Sequence, residues 1–228
     1  MGQEVNRRAY DSSARRARSG ETRQRIVAAA RASMLAKGYR RTSVADIAAG
    51  AGVNVDTVYD LVGRKPVILR ELIEQAVSGA DHPVAAEQRD YVRAVRAEPD
   101  PRQKLAIYAR AVRHTMQRLA PLFTVISEAS PSEPDVAALW REISERRAAN
   151  MRLFVSEVNS AGTLRTGLSI ERAADIVWTL NSPDVYLLFT EQRGWSPDEF
   201  EHWLADSWAR LLLDDATRPV SRRASSAR

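Results

Sequence analysis

The 228-residue chain contains no cysteine, and this absence removes several kinds of site at once. It has no disulfide framework, no thiol nucleophile and no thiolate metal ligand. No apolar stretch reaches the roughly 18–20 residues that a membrane-spanning helix requires. The N-terminal segment lacks the apolar core of a secretory signal, so we expect a cytoplasmic protein.

Signatures of the common enzyme classes are missing as well. The histidines His82, His114 and His202 are scattered without metal-ligand spacing, and the chain has no G-x-S-x-G, H-E-x-x-H or Walker motif. The segment Gly50–Gly52 begins like a dinucleotide loop but lacks the third glycine and a preceding strand. We therefore expect no enzyme, no catalytic residue, no metal site and no cofactor.

Charge is unevenly distributed along the chain. Residues 1–80 carry 14 Lys and Arg against 8 Asp and Glu, a net charge of +6, whereas residues 81–215 carry 16 against 21, a net charge of −5. The last 13 residues add four arginines and no acid. A basic front and an acidic body favour a polyanionic partner for the front alone. The alternative for the terminal arginines is that they only solubilise a disordered tail.

Apolar residues recur at helical spacing from Glu21 onward, and no segment shows the sustained two-residue alternation of a strand. The pattern predicts an all-α fold of roughly nine or ten helices. The first helix is expected to end at Gly38 and the second to run from Val44 to Gly50. Asn54 is expected to cap a short third helix, and a fourth should start at Lys65.

Prolines and capping residues predict the later helix boundaries. A helix should open at Pro101 and stop near Leu119, because Pro121 is expected to interrupt it. Further starts are predicted at Ser132–Pro134, Ser169 and Ser196, with a break at Asn181–Pro183.

One short region fits a helix-turn-helix. Ala48 is small enough for two helices to cross closely, Gly52 can adopt the left-handed backbone of the turn, and Val58 can pack the following helix back. The flanking apolar residues are Ile47, Val53 and Leu61. A match of this length has a moderate false-positive rate, so its context decides.

The surrounding sequence resembles the TetR family of transcriptional regulators, from Arg23 to Leu72. The shared marks are Gly38-Tyr39 after the first helix, the Thr/Ser-Val-x-x-Ile-Ala run, the Ala-Gly-Val turn, Thr57-Val58-Tyr59, and Gly63-x-Lys65 before an apolar helix. Two departures are Val62, where an aromatic residue is common, and Pro66, where an acidic one is common. At Val62 we expect a smaller packing residue and no loss of function.

The resemblance implies a three-helix DNA-binding head, a helical ligand-binding and dimerisation body, a homodimer and, usually, repression relieved by a small molecule. The implied partners are a double-stranded DNA operator with an inverted repeat, an unidentified effector and a second copy of the chain, without a membrane. We accordingly predict a flexible basic arm at 1–20, a helix-turn-helix domain at 21–65, the body at 66–215 and a disordered basic tail at 216–228.

Side chains on and around the third helix are expected to meet DNA, because a helix fits the major groove. The resemblance assigns the hydroxyls of Thr57 and Tyr59 and the ammonium of Lys65 to phosphate. Thr42 and Ser43, at the start of the second helix, can present a hydroxyl and free backbone N–H groups. The full expected set is Arg40, Arg41, Thr42, Ser43, Asn54, Asp56, Thr57, Tyr59, Asp60, Arg64 and Lys65.

The two aspartates of this helix have competing explanations. Asp56 lies in the first turn, where the helix dipole stabilises a carboxylate, and this structural role is favoured. Asp60 can accept a hydrogen bond from cytosine or pair with Arg64 four residues later, and the sequence leaves both open. The segment from Asn54 to Val62 has no Lys or Arg, so neighbouring residues and the arm must neutralise phosphate.

The body offers two sets of candidates. An apolar stripe on the last helix, with part of the preceding one, can be core or interface, and the family resemblance favours a dimer interface. The residues of this expected interface are Val185, Leu188, Phe200, Trp203, Leu204, Trp208 and Leu211. Aromatic or polar residues on apolar central helices suggest a pocket for a lipophilic ligand. These residues are Tyr108, His114, Met116, Phe123, Trp140, Phe154, Trp178 and Asn181.

Two other classes of function remain as alternatives. One is a helical interaction protein whose helix-turn-helix is purely structural, although such a module would not need basic residues around the third helix. The other is an enzyme that binds a small molecule in the body. The basic arm has its own alternatives, because it can either follow the DNA backbone or never touch DNA.

Overall fold

The computed structural model describes residues 3–80, 88–161 and 164–214, with side chains from residue 17 onward. The predicted basic tail at 216–228 and His82 lie outside these residues. The described backbone is helical, and its one isolated β-bridge joins Leu164 to Leu213. None of the described helices has the length and apolar character needed to cross a membrane.

Ten α-helices account for most of the described residues, as the all-α prediction requires. They are α1 (Gln3–Arg41), α2 (Val44–Ala51), α3 (Val55–Leu61), α4 (Lys65–Ser78), α5 (Asp90–Ala97), α6 (Pro101–Ala129), α7 (Pro134–Val158), α8 (Ile170–Leu180), α9 (Pro183–Leu187) and α10 (Pro197–Leu212). A 3₁₀ turn follows α7 at Asn159–Ala161, and a π turn follows α9 at Leu188–Gln192.

The chain forms two compact units. The first, called the head unit, contains Met1–Val84 and Gln117–Ile143, and the second, called the body unit, contains Ala85–Met116 and Ser144–Arg228. Helices α6 and α7 therefore each contribute residues to both units. The head unit extends beyond the predicted 21–65, because α4 buries one whole face, at Ile68, Leu69, Leu72 and Ile73.

The first helix begins much earlier than the sequence suggested. Its backbone is helical from Gln3, where an irregular arm was predicted up to residue 20. Arginine and alanine are frequent there and favour helix without an apolar stripe, so periodicity alone misses the segment. The predicted end is confirmed, because Gly38 leaves the helix with φ 79° and ψ 165°, a conformation suited to glycine.

Pro121 does not end α6, contrary to the prediction. The helix continues through it to Ala129, although proline cannot donate to the carbonyl four residues before it. Leu119, Ala120, Leu122 and Phe123 are all buried beside it. Burial of these neighbours outweighs the local cost of the proline, which is about 3 kcal/mol in a helix interior.

The predicted caps are present. Ser43 and Asp46 form a reciprocal capping box at α2, and Ser196 and Glu199 form another at α10. The side chain of Ser169 caps α8. The predicted break between α8 and α9 is also confirmed, with Asn181 ending one helix and Ser182 capping the next. Local hydrogen bonding of short polar side chains thus sets these boundaries.

Substitution of glycine by alanine should have opposite effects on stability at Gly52 and at Gly20, because the two backbones differ in conformation. A Cβ atom would meet no atom within 4 Å at either Gly52 or Gly20. Gly52 has φ 65°, so Gly52→Ala should lower the free energy of unfolding by about 1–2 kcal/mol. Gly20 is helical, so Gly20→Ala should raise it by roughly 0.5–1 kcal/mol.

Urea denaturation followed by circular dichroism measures both changes. An unchanged or lower stability of Gly20→Ala would contradict a helix that runs unbroken through residue 20.

Candidate nucleic-acid interface and body site

The turn between α2 and α3 has the geometry that the sequence predicted. Gly52 is left-handed, and the N–H of Val53 donates to the carbonyl of Ala48 over 3.0 Å. One feature escaped the sequence analysis, because Gly50 is also tightly packed. A Cβ atom built on Gly50 would lie 3.2 Å from the Cβ of Ala29 on α1. Gly50 therefore allows α2 to approach α1 closely.

Helix α3 turns one face to the core and the other to solvent. Val58 is fully buried and Val62 is also buried, which confirms the smaller packing residue expected at that position. Tyr59 is 48% exposed, and Asp56 and Asp60 are exposed with it. These three side chains make no hydrogen bond or ion pair within the part of the chain that the structure describes. The outward face is therefore free to contact another molecule.

The start of α3 is fixed by one side chain. The Oδ1 atom of Asn54 accepts from the backbone N–H of Thr57 over 2.8 Å and from its hydroxyl over 2.6 Å. Thr57 is half-buried, and its hydroxyl already has Asn54 as a hydrogen-bond partner. The Nδ2 group of Asn54 stays exposed beside the outward face of α3.

The start of α2 differs from the expectation at Thr42. This residue is 1% exposed, and its hydroxyl donates to the carbonyl of Gly38 over 2.9 Å, so it is a core residue and not a phosphate ligand. Ser43 is exposed, but its hydroxyl bonds Asp46. Hydrogen bonds from Lys37 and from Ser43 hold the pKa of Asp46 well below its usual range.

The basic residues around α3 fall into two groups. Arg40, Arg41 and Arg64 are exposed, and the backbone carbonyl of Lys37 orients Arg41 through a 2.8 Å hydrogen bond. Lys65 is half-buried, and its ammonium donates to the carbonyl of Tyr39 over 3.1 Å and lies 4.1 Å from the centre of that ring. Lys65 therefore links the start of α4 to the end of α1 as well as carrying charge.

The pairing of Asp60 with Arg64 is absent. No ion pair joins these two side chains in the described residues, although they stand four positions apart. Arg64 is the residue before α4 and has extended backbone, so the helical spacing that would bring the charges together ends before it. The contact of Asp60 with a DNA base stays a prediction.

A guanidinium on α1 holds the end of α3, and sequence reasoning missed it. Arg23 donates through Nη1 to the carbonyl of Leu61, the last residue of α3. The same side chain bonds Glu71 of α4, with Nε to Oε1 at 3.1 Å and Nη2 to Oε2 at 2.5 Å. Glu71 is mostly covered, with 12% of its side chain exposed. One arginine thus connects three helices, α1, α3 and α4.

The body unit brings together four of the predicted pocket residues. Tyr108 contacts Phe154, with ring centres 4.2 Å apart, and accepts a hydrogen bond from Asn181 over 3.2 Å. Trp178 lies 5.3 Å from the guanidinium of Arg147, which also bonds Asn181. Sequence reasoning did not identify Arg147, since nothing in its local spacing distinguishes it from other surface arginines.

The other predicted pocket residues do not join this group. Phe123 and Trp140 belong to the head unit, where their ring centres lie 4.9 Å apart. His114 is exposed, and its Nε2 atom lies 3.2 Å from the guanidinium of Arg113. Met116 is buried as a core residue at the end of its unit. The residue types alone did not show which of the predicted pocket residues lie together in the body unit and which lie elsewhere.

The apolar stripe of α10 divides into two faces. Phe200, Leu204 and Trp208 are fully buried within the chain itself, so their assignment to a dimer interface is wrong. They repeat every four residues and therefore share the face that packs inward. Val185 and Trp203 are half-exposed, while Leu188 and Leu211 are 48% and 40% exposed.

Residues 26–61 match the model of the bacterial regulatory proteins of the tetR family. The chain carries the helix-turn-helix domain of the TetR family. Its matched segment spans α2, α3 and the last third of the helical run before Gly38. No curated protein sequence matches the chain.

Three solved structures have a fold similar to that of this chain. NalD, the secondary repressor of the MexAB-OprM multidrug efflux pump in Pseudomonas aeruginosa, is 20% identical with a TM-score of 0.64, covering 86% of this chain and 98% of that one. A regulator from Saccharomonospora viridis in complex with choline is 18% identical with a TM-score of 0.63, covering 85% and 98%. The SmeT–triclosan complex is 17% identical with a TM-score of 0.61, covering 87% and 95%.

The exposed face of α3 leads to a prediction that separates affinity from base preference. Tyr59→Phe removes a hydroxyl assigned to phosphate, so affinity should fall by about 1.5–3 kcal/mol per contact for every DNA sequence alike. Asp60→Asn should instead change the preferred base at one position of each half-site. Selection of binding sites from random duplexes measures both.

The matched control is Asp56→Asn, because Asp56 is an equally exposed aspartate that lies in the first turn of the same helix. It should leave the selected sequence unchanged. A preference that moves with Asp56 and not with Asp60 would contradict the base contact assigned to Asp60.

Proposed function

We propose that the protein is a homodimeric, sequence-specific DNA-binding repressor of the TetR family that a largely apolar small molecule releases from its operator. Such a protein acts where the chromosome lies, so the expected compartment is the cytoplasm. The observation that carries the proposal is a short helix with a free outward face, fixed at both ends and flanked by exposed arginines.

The fixed ends matter because base recognition requires a defined position. Asn54 holds the start of α3 and Arg23 holds its end, so the exposed face between them has a set orientation. Tyr59 and Asp60 on this face supply a hydroxyl and a carboxylate, groups that can meet phosphate and cytosine. A purely structural helix-turn-helix would not need this free polar face.

Attraction to DNA must come from outside α3, which has no cation of its own. Arg40 and Arg41 end α1, and Arg64 precedes α4, so exposed guanidinium groups stand on both sides of α3 in the chain. Each phosphate that they neutralise steepens the dependence of log affinity on log salt by roughly 0.9. A contact between the basic residues 1–20 and DNA stays a prediction.

The effector part of the proposal has support from the body unit and from the fold relatives. Tyr108, Phe154 and Trp208 form a buried aromatic cluster, which suits an apolar molecule. The relatives solved with choline and with triclosan have bound molecules of different chemistry in one fold. A sequence identity of 17–18% supports a similar fold but does not indicate the same ligand.

The dimer part of the proposal now rests on the outward side of the last helices. Leu188 and Leu211 remain substantially exposed in the single chain, and Trp203 is half-exposed. Trp203 contacts Phe189, with ring centres 4.4 Å apart, so its outer edge continues the aromatic surface of the π turn. A second copy covering these side chains would remove them from water.

The operator tests the function directly. Duplexes selected from a random pool should contain an inverted repeat, because each chain supplies one reading helix. Arg64→Gln should then flatten the salt slope by about two units per dimer, measured by fluorescence anisotropy. Arg172→Gln, at an exposed arginine in the first turn of α8, is the matched control and should leave the slope unchanged.

A selected sequence without two related half-sites would contradict the proposed reading mode. An Arg64→Gln chain that binds the operator with unchanged affinity and an unchanged salt slope would contradict it as well.

Charge placed on the proposed interface should separate the two copies without unfolding either. Leu188→Glu and Leu211→Glu alter exposed side chains, so the core stays intact, but a carboxylate buried in an interface is strongly disfavoured. Sedimentation should show monomers with an unchanged circular dichroism spectrum. Leu153→Glu, on α7 and 65% exposed, is the control outside the proposed interface and should remain dimeric.

A wild-type chain that sediments as a monomer at micromolar concentration would contradict the interface assignment. Dimers formed equally well by the two substituted chains would contradict it in the same way.

A further inference from the structure

Helices α6, α7, α8 and α10 bring four hydrogen-bond donors together in the body unit. This donor cluster consists of Tyr108, Arg147, Asn181 and Trp208. Arg147 donates through Nη2 to Oδ1 of Asn181 over 2.7 Å, and Asn181 donates through Nδ2 to the Tyr108 hydroxyl over 3.2 Å. Tyr108, Arg147 and Trp208 lie on three different helices and Asn181 follows a fourth, so tertiary packing assembles the cluster.

The donors of the cluster outnumber its good acceptors. The hydroxyl of Tyr108 donates to the Sδ atom of Met151 over 3.3 Å, and Nδ2 of Asn181 also approaches that sulfur, at 3.1 Å. A thioether is a weak acceptor. The carbonyl of Asn181, which could accept strongly, is already occupied by Arg147. The cluster therefore satisfies its strong donors poorly.

Trp208 shows the imbalance most clearly. Its side chain is 0% exposed and stacks on Tyr108, with ring centres 5.5 Å apart and planes 14° apart. Its indole N–H has no hydrogen-bond partner among the described residues. Buried polar groups in folded proteins are almost always satisfied, so an unpartnered donor in a core requires an explanation.

Positive charge accompanies the excess of donors. Arg147 is held by neutral oxygens, the side chain of Asn181 and the carbonyl of Trp178 at 3.2 Å, and no carboxylate pairs with it in the described residues. Because burial removes the Arg147 guanidinium from water, its pKa is lowered. Lys104, one turn before Tyr108 on α6, is also buried, and its ammonium donates to the carbonyl of Val95 over 2.8 Å.

Apolar groups surround the donors. Phe154 lies 4.2 Å from Tyr108 between ring centres and 6.4 Å from Trp208, and Met151 is buried beside them. These side chains can cover a hydrocarbon or aromatic body, while the donors and cations suit an oxygen-bearing anionic group.

We propose that the donor cluster binds the carboxylate of an amphipathic small molecule, whose apolar body packs against Phe154 and Met151. The proposal rests on the effector role stated above and names the chemistry of that effector. A carboxylate supplies the strong acceptors that Tyr108 and Trp208 lack, and the negative charge that Arg147 lacks among its neutral partners. A quaternary ammonium has no acceptor and adds a cation beside Arg147, so the cluster excludes it.

Three probes with one tail and different head groups test the head-group preference. Octanoate, octanol and octyltrimethylammonium are titrated into the full chain by calorimetry. Octanoate should bind about tenfold to a hundredfold more tightly than octanol, because hydrogen bonds to a charged group are the stronger kind. Octyltrimethylammonium should not bind. Equal affinities for the three, or no saturable binding of octanoate at millimolar concentration, would overturn the proposal.

Conservative substitutions locate the site without emptying the core. Trp208→Phe removes the unpartnered N–H together with part of a fully buried ring, and Tyr108→Phe removes a hydroxyl that donates to Met151 and accepts from Asn181. Both chains should therefore melt several degrees below the wild type but still unfold cooperatively. Each should lose octanoate affinity by about threefold to tenfold while octanol affinity stays unchanged.

The matched controls are Trp195→Phe and Tyr186→Phe, at aromatic residues of the same unit outside the cluster. Wild-type preference for octanoate in both cluster variants would overturn the assignment of the site. So would an equal loss of octanoate affinity in the controls.

Operator binding keeps this proposal separate from the proposed function. By linkage, octanoate should weaken operator binding by the same factor by which operator weakens octanoate binding. If octanoate binds with the expected preference but leaves operator affinity unchanged, the head-group assignment stands and effector-controlled release fails. If only octanol or octyltrimethylammonium releases the operator, release stands and the carboxylate assignment fails.

Discussion

A helix of seven residues cannot hold itself together in water, because the cost of its first turn is recovered only over a longer run. Everything that α3 does therefore depends on contacts made by its neighbours. Asn54 satisfies the N–H of Thr57 at its start, Arg23 satisfies a carbonyl at its end, and Val58 anchors its middle in the core. With both ends and one face fixed, the remaining face has a definite direction without making any contact of its own.

The same dependence explains the position of α4. Glu71 orients Arg23, and Arg23 in turn holds the last carbonyl of α3. Lys65 adds a second connection, from the start of α4 to the carbonyl of Tyr39. Tyr39 is buried, and this burial raises the pKa of its phenol to about 12, with Glu133 and Asp135 acting in the same direction. The ring beside Lys65 therefore stays neutral at ordinary pH.

Features that depend on residues close together in the chain were predicted correctly from the sequence. Contacts between residues far apart in the chain were not. The caps at Ser43, Asn54 and Ser196 depend on a side chain and a backbone group three residues away, so residue type and spacing suffice. The contact between Arg23 and Glu71 spans a long stretch of chain and leaves no local pattern.

The errors have the same origin. Pro121 was expected to break α6, but burial of its neighbours, a tertiary effect, outweighed the local cost. Phe200, Leu204 and Trp208 were assigned to a dimer interface because an apolar stripe does not show whether its own chain or a second copy covers it. Residue type indicated an aromatic pocket, but only the fold separates Tyr108 and Phe154 from Phe123 and Trp140 and places Arg147 with the former pair.

The unpartnered outward face of α3 has a consequence for how such a regulator can evolve. Asp56, Tyr59 and Asp60 are exposed and make no hydrogen bond or ion pair in the described residues, so replacing them removes no interaction that holds the chain together. Surface substitutions of this kind usually change stability by less than about 0.5 kcal/mol. After gene duplication, a copy could drift to a new operator through substitution of Asp60, the position assigned to a base, while the folded scaffold and its response to an effector were inherited unchanged.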